Sequence, residues 1–213
     1  MTDAEYAAFR PTFPFENYDP NGDYPEMFDF CDRVEVGNVE AVANWLYPIL
    51  KPQTVIDIGC ATGLYLAPLK KRYGCEVFGI DGGRAEDGAG RHIAPEEFRR
   101  VDLRFPWASP KRYDLAICME VAEHLPEYYA DNLVDIVTLA GNSVLWSAAV
   151  PGQGGTYHVN ERNYEYWEEK FFSRGFKLHE KHEEWRVAVQ QLEVPPWSGW
   201  FRNHSRLFQR VTA

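Results

Sequence analysis

The sequence predicts one α/β domain built on a mostly parallel sheet, and three observations carry that expectation. At 213 residues and 45% hydrophobic content the chain suits one core of ordinary globular composition. Short apolar runs alternate with helical patterns from residue 54 to residue 175. The C-terminal part then reads as two strands joined by a long connection, which adds an antiparallel edge. In order, residues 1–37 are rich in Pro and aromatics and read as a flap or lid, and 38–213 form the domain. Val39, Val42, Trp45, Leu46 and Ile49 recur at helical spacing, and Lys51-Pro52 ends that helix. TVIDIG (54–59) is the first strand, Leu64 to Tyr73 a helix, and CEVFGID (75–81) the second strand. Residues 82–96 are glycine-rich with few apolar positions, so the crossover helix there is short or missing. FRRVDL (98–103) and YDLAICM (113–119) are strands, Pro126 opens a helix to about Ala140, and NSVLWSAAV (142–150) is the fifth strand. Asn163 to Ser173 is helical and stops at Gly175, after which 176–194 and SRLFQRV (205–211) read as strands.

Charge and composition narrow the partners. The formal charge is −10, which disfavours nucleic acid and anionic membranes, although Arg99, Arg100 and Arg104 form a local basic strip. No apolar run reaches the roughly 18 residues of a membrane span, and the N-terminal MTDAEYAAFR lacks the layout of a signal peptide. Four cysteines without C-x-x-C spacing suggest reduced thiols in a cytoplasmic protein. The partner expected on these grounds is a small molecule.

In open α/β sheets ligands sit beyond the carboxyl ends of the strands. The first tip reads Asp57-Ile58-Gly59-Cys60-Ala61-Thr62-Gly63. Its glycines allow close backbone approach, and Asp57 suits a ligand carrying an ammonium group while repelling a pyrophosphate. Asp81 ends the second strand, where a carboxylate can accept both hydroxyl hydrogens of a ribose. Asp102-Leu103 at the third can offer an acid to an exocyclic amine and an apolar edge to a purine. A dinucleotide site would want G-x-G-x-x-G, and the loop here is G-x-x-x-G.

That constellation resembles the class I S-adenosylmethionine-dependent methyltransferases over roughly residues 38–211. Ala61 departs from the pattern, which often has Gly there. The resemblance implies a Rossmann-like sheet of seven strands in the order 3-2-1-4-5-7-6, the last antiparallel. It also implies S-adenosylmethionine lying against Asp57, Gly59, Cys60, Ala61, Thr62, Gly63, Asp81, Gly82, Asp102, Leu103 and Met119.

Glu120, Glu123 and His124 follow the fourth strand, and in a helix these three would share one face. His158 lies in the glycine-rich stretch after the fifth strand, at the same edge of the sheet. Two Glu and two His without thiolate suit Mg²⁺ or Mn²⁺ better than structural zinc. The E-x-x-E-H stretch with a later His is similar to the metal site of small-RNA 3′-end ribose 2′-O-methyltransferases, and E-V-x-E-H is also similar to ubiquinone-biosynthesis O-methyltransferases. The resemblance implies a divalent ion held by Glu120, Glu123, His124 and His158. A metal-free His158 base and purely structural roles stay open. With no Asn/Asp-Pro-Pro-Tyr/Phe stretch, the expected reaction is methylation of a hydroxyl oxygen on a sugar or small metabolite, with catalytic roles for His158, Glu120 and His124. Two alternatives remain: a methyltransferase acting on RNA or protein, and a non-catalytic S-adenosylmethionine-binding module. Trp167 and Phe171 read as core, and Cys60 and Cys118 as small apolar packing. Trp185, Trp197, Trp200 and Phe201 read either as cleft lining or as a hydrophobic cover.

Overall fold

Strand β1 (Thr54–Ile58) lies inside the sheet, four of its five residues buried, with Val55, Ile56 and Ile58 supplying apolar side chains to both faces. The computed structural model describes residues 25–154, 158–191 and 200–211. Around β1 stand β2 (Glu76–Asp81), β3 (Phe98–Arg100), β4 (Tyr113–Met119), β5 (Gly141–Ser147), β6 (Phe176–Leu178) and β7 (Arg206–Arg210). The order is β3-β2-β1-β4-β5-β7-β6, parallel from β3 through β5, with β7 antiparallel to both β5 and β6. This is the Rossmann-like sheet and strand order expected of the sequence.

Helices cover both faces. On one side α1 (Pro25–Leu50), α2 (Leu66–Tyr73) and α5 (His182–Gln190) bury Leu46, Leu69 and Trp185 against Val55, Leu115 and Leu207. On the other, α3 (Ala130–Ala140) and α4 (Tyr164–Phe172) bury Leu133, Trp167 and Phe171 against Ile56, Ala116 and Phe208. A short α6 (Trp200–His204) leads into β7. No helix among the described residues is long and apolar enough to cross a membrane.

Several boundaries differ from expectation. Helix α1 starts at Pro25, so residues 25–37 of the expected flap are helical; 1–24 lie outside the described residues. The segment 176–194, expected as a strand, gives only the three-residue β6 before α5. The reason is period: His182, Trp185, Ala188 and Val189 are the buried positions, and their spacing is that of a helix. β3 stops at Arg100 rather than at 103, and β5 runs 141–147 rather than 142–150. After Pro126 comes a 3₁₀ turn, Glu127–Tyr129, before α3 begins. Between β2 and β3 the chain makes only two 3₁₀ turns.

Candidate active site

The carboxyl ends of β1 to β5 lie along one edge of the sheet, because those five strands are parallel. After β1 the chain turns through Gly59 at φ 78°, Ala61 at φ 44° and Gly63 at φ 80°. Gly59 is required on space as well as angle: a Cβ there would lie 2.4 Å from Val121 Cγ2, so this loop and the one after β4 touch. The Ala61 amide donates to Asp81 Oδ2 and the Gly83 amide to Asp81 Oδ1, each at 2.8 Å. Burial raises the Asp81 carboxyl and these two amides pull it part-way back. Gly82 leaves open space, a Cβ there meeting only Val101 O at 3.9 Å. Asp57 is 3% exposed, and no donor or cation among the described residues meets its carboxylate. Burial, reinforced by the Asp81 charge, pushes its pKa up to about 8. A buried carboxylate left this way favours an incoming cation such as a ligand's ammonium.

Helix α1 is bound to the same loop. Thr62 Oγ1 donates to Asp32 Oδ1 at 2.8 Å, while Arg91 Nε and His92 Nε2 bond Asp32 Oδ2 at 2.9 and 2.8 Å. Past β3, Asp102 accepts from the Arg104 amide and, in a fork, from Arg104 Nε (2.8 Å) and its terminal nitrogen (2.5 Å). Arg104 is therefore buried in an ion pair rather than part of an exposed basic strip. Leu103 is buried, and its carbonyl accepts from Asn132 Nδ2 at 2.8 Å. Cys60 and Cys118 are buried thiols whose pKa values burial holds well up, so both stay protonated and pack as apolar groups.

The second rim lies past β4 and β5. Met119 ends β4 buried, and Glu120 follows at φ 52°, a left-handed conformation uncommon for a residue with a side chain. The segment is therefore no helix that aligns positions 120, 123 and 124; it holds a single 3₁₀ turn, Ala122–His124. Glu120 turns toward β5, accepting from Ser147 Oγ (2.7 Å) and Gln153 Nε2 (2.8 Å). Glu123 is fully buried, and neither of its carboxylate oxygens has a hydrogen-bond partner. Burial, and then the Glu120 charge, drive its pKa well up. One carboxylate oxygen of Glu123 and one ring nitrogen each of His124 and His158 lie within 4.8 Å of one another. The imidazoles meet edge to face, centroids 5.1 Å apart. His158 is brought there by backbone, since the Val159 and Asn160 amides both donate to the Glu123 carbonyl at 2.8 and 3.1 Å. Glu161 closes the loop, accepting from the Gly152 and Gly154 amides at 2.8 Å each and from His158 Nδ1 at 3.1 Å.

The profile of a family described as the methyltransferase domain matches residues 30–153, more than half of the chain. The chain belongs to that methyltransferase-domain family. Its fold is that of the class I S-adenosylmethionine-dependent methyltransferases. Among curated relatives, the ubiquinone biosynthesis O-methyltransferase of Acinetobacter baumannii is 34% identical over 85 residues, covering 37% of this chain and 35% of that protein. The match thus spans about a third of the relative's length. Among solved structures, the methyltransferase domain of bacterial CtHen1-C has a TM-score of 0.59 at 18% identity, covering 84% of this chain and 99% of that one. Magnesium protoporphyrin IX methyltransferase from Synechocystis PCC 6803, solved with bound SAH, has a TM-score of 0.57 at 16% identity over 99% and 95% of the two chains. At such identities the likeness is one of fold.

Within this methyltransferase domain the structure gathers Asp57, Asp81 and the 59–63 loop at one end of the edge, and Glu123, His124 and His158 at the other. Glu120, expected among the metal ligands, stands behind Glu123 and is bound to β5 instead. Sequence reasoning missed Glu161, Ser147, Gln153 and Arg104. Only Arg104, two residues from Asp102, carried a local signal that could have found it. Trp185 is core and donates to Ser205 Oγ; Trp197 and the side chains of Trp200 and Phe201 lie outside what the structure describes.

Proposed function

We propose that this chain transfers a methyl group from S-adenosylmethionine to a hydroxyl oxygen of a sugar or small metabolite, assisted by a divalent ion. The observation that supports the reading is Glu123: a fully buried carboxylate with two unpartnered oxygens, beside a second carboxylate and two imidazoles. Such a group demands a proton or a cation. The donor set is one carboxylate and two imidazoles without sulfur, which fits Mn²⁺ or a similar transition-metal ion better than Mg²⁺.

S-adenosylmethionine supplies an electrophilic methyl on a sulfonium carrying an α-ammonium group. For that molecule Asp57 offers its uncompensated carboxylate to the ammonium, Asp81 keeps lone pairs for the ribose hydroxyls, and Asp102 with Leu103 serves the adenine. A divalent ion held by Glu123, His124 and His158 would lower the cost of deprotonating an aliphatic hydroxyl and orient it. Glu120 adds negative charge behind that set. The net charge of −10 favours a small acceptor over a polyanion. Three buried free thiols suit the reducing cytoplasm, where we place the protein.

The test is cofactor turnover on a panel of sugars, catechols and RNA ends, with and without chelator. Hydroxyl methylation abolished by chelator and restored by Mn²⁺ or a similar transition-metal ion is the expected result. Chelator-insensitive transfer would remove the ion and leave the hydroxyl proton to His158. Salt-sensitive transfer to RNA ends would replace the small acceptor by a polyanion. If calorimetry finds no heat with S-adenosylmethionine or its demethylated product, the reading is overturned.

A further inference from the structure

We infer that Glu161 is a positioning residue that fixes the tautomer of His158, keeping the proton on Nδ1 and the lone pair on Nε2. The inference rests on the proposed role of His158 in the acceptor site, though its central claim is measurable without any turnover.

The Gly152 and Gly154 amides and the His158 ring converge on one carboxylate, that of Glu161. Glu161 Oε2 accepts the Gly152 amide, and Oε1 accepts both the Gly154 amide and His158 Nδ1. A carboxylate cannot donate, so the nitrogen facing it must carry the hydrogen. In the neutral ring that leaves Nε2 as the acceptor. Gly152 and Gly154 sit at φ 87° and 68° with nothing within 4 Å of where a Cβ would lie. Open space means that the left-handed backbone, not crowding, calls for glycine, and that backbone is what turns the two amides onto Glu161. The backbone bonds from Val159 and Asn160 to the Glu123 carbonyl set where the ring stands; Glu161 sets which nitrogen can work. A lone pair on the other nitrogen is what a ligand ring needs for an ion, or a base for a proton.

Two variants separate this role from simple loop closure. In Glu161→Gln the remaining carbonyl oxygen can keep the bonds to Gly154 and His158 Nδ1, and only the Gly152 amide loses its acceptor. In Glu161→Ala all three are lost. Long-range ¹H–¹⁵N correlation spectra of chelator-treated protein at mildly alkaline pH, with His158→Gln used for assignment, report the tautomer directly. Wild type and Glu161→Gln should show His158 protonated at Nδ1, and Glu161→Ala should lose that form. On an acceptor that turns over, Glu161→Ala should lower kcat by about 10–100-fold with the KM for S-adenosylmethionine unchanged, and Glu161→Gln should recover most of the loss. An Nε2–H ring in wild type, an unchanged ring in Glu161→Ala, or equal losses in both variants would overturn the inference. A tautomer that responds as expected in a protein methylating no hydroxyl would retain the positioning role and discard the proposed reaction.

Discussion

The rim formed by β1, β2 and β3 and the rim formed by β4 and β5 both bury carboxylates, but they satisfy them differently. On the first, donors come from the strand-tip loops: the Ala61 amide after β1 and the Gly83 amide two residues on serve Asp81, and Arg104 serves Asp102 two residues away. On the second, Glu120 depends on Ser147 and Gln153, and His158 depends on Glu161 and on the Glu123 carbonyl. One orphan stands on each side. Asp57 meets no donor among the described residues and suits a ligand that brings one cationic group, whereas Glu123 lies beside two imidazoles that can exchange protons or bind an ion. On the proposed reading the first rim holds the cofactor and the second carries the chemistry.

Breaking Glu123 should have the largest effect. Glu123→Gln is expected to reduce hydroxyl methylation by about 10²–10⁴-fold, the range typical of lost acid–base or ligand function. It should also raise the melting temperature at neutral pH, because the folded wild type must hold on Glu123 a proton that the unfolded chain releases, a cost the amide does not carry. Steady-state kinetics and a thermal melt on one preparation check both signs; a destabilised variant would mean that Glu123 is structural. Next comes Asp81→Asn. Losing a charged acceptor of two amides should weaken S-adenosylmethionine binding by about 10–100-fold, from about 1.5–3 kcal/mol per charged hydrogen bond, with hydroxyl transfer at saturation little changed. If kcat falls and affinity does not, the division between the two rims fails.

The pH dependence of stability sharpens the same contrast. Asp57 has its pKa raised to about 8, so near neutral pH the folded protein keeps a proton that the unfolded chain has lost. Raising the pH then favours the unfolded state, and stability falls through that pKa by about 1.4 kcal/mol per pH unit for each such proton. Asp81, Glu120 and Glu123 are also raised and contribute with the same sign. His182, lowered to about 4 by burial, acts oppositely, but between about 4 and 6.5. Denaturation between pH 7 and 8.5 should therefore show stability falling with pH in the ligand-free protein. The slope should be shallower in Asp57→Asn and shallower again with S-adenosylhomocysteine, whose ammonium favours the ionised carboxylate. A slope unaffected by Asp57→Asn would place the shifted proton on another of the raised carboxyls, Asp81, Glu120 or Glu123.

The two rims also differ in how far the sequence reveals them. Strand tips β1 to β3 are legible because each function sits within a few residues of its own strand, as the run from Asp57 to Gly63 does. The strand order is legible too, since alternation of strand and helix restricts topology. Glu123 and His124 are visible as residues, yet Glu120 points elsewhere because its positive φ interrupts the helical spacing that would align the three. Glu161 and Gln153 act through loop closure and cross-strand bonding, for which no local pattern exists. The misread α5 shows the same limit: HEEWRVAV mixes polar and apolar residues closely enough to pass for alternation until burial picks out positions 182, 185, 188 and 189.

Ala61 gives the smallest expected effect and a direct test of the first rim as the part that holds the cofactor. It holds φ 44° so that its amide can reach Asp81. A left-handed conformation costs an L-residue about 1–2 kcal/mol, and replacement by glycine removes that cost. Glycine also loosens the unfolded chain by about 0.5–1 kcal/mol, so the net gain from Ala61→Gly should fall between zero and about 1.5 kcal/mol. Because the amide is retained, cofactor affinity should stay within about twofold, well under the 1.4 kcal/mol of a tenfold change. Chemical denaturation and calorimetry on this variant measure the two quantities separately. A marked loss of affinity would mean that the Ala61 methyl itself touches the ligand, and that the loop recognises its ligand by packing as well as by backbone.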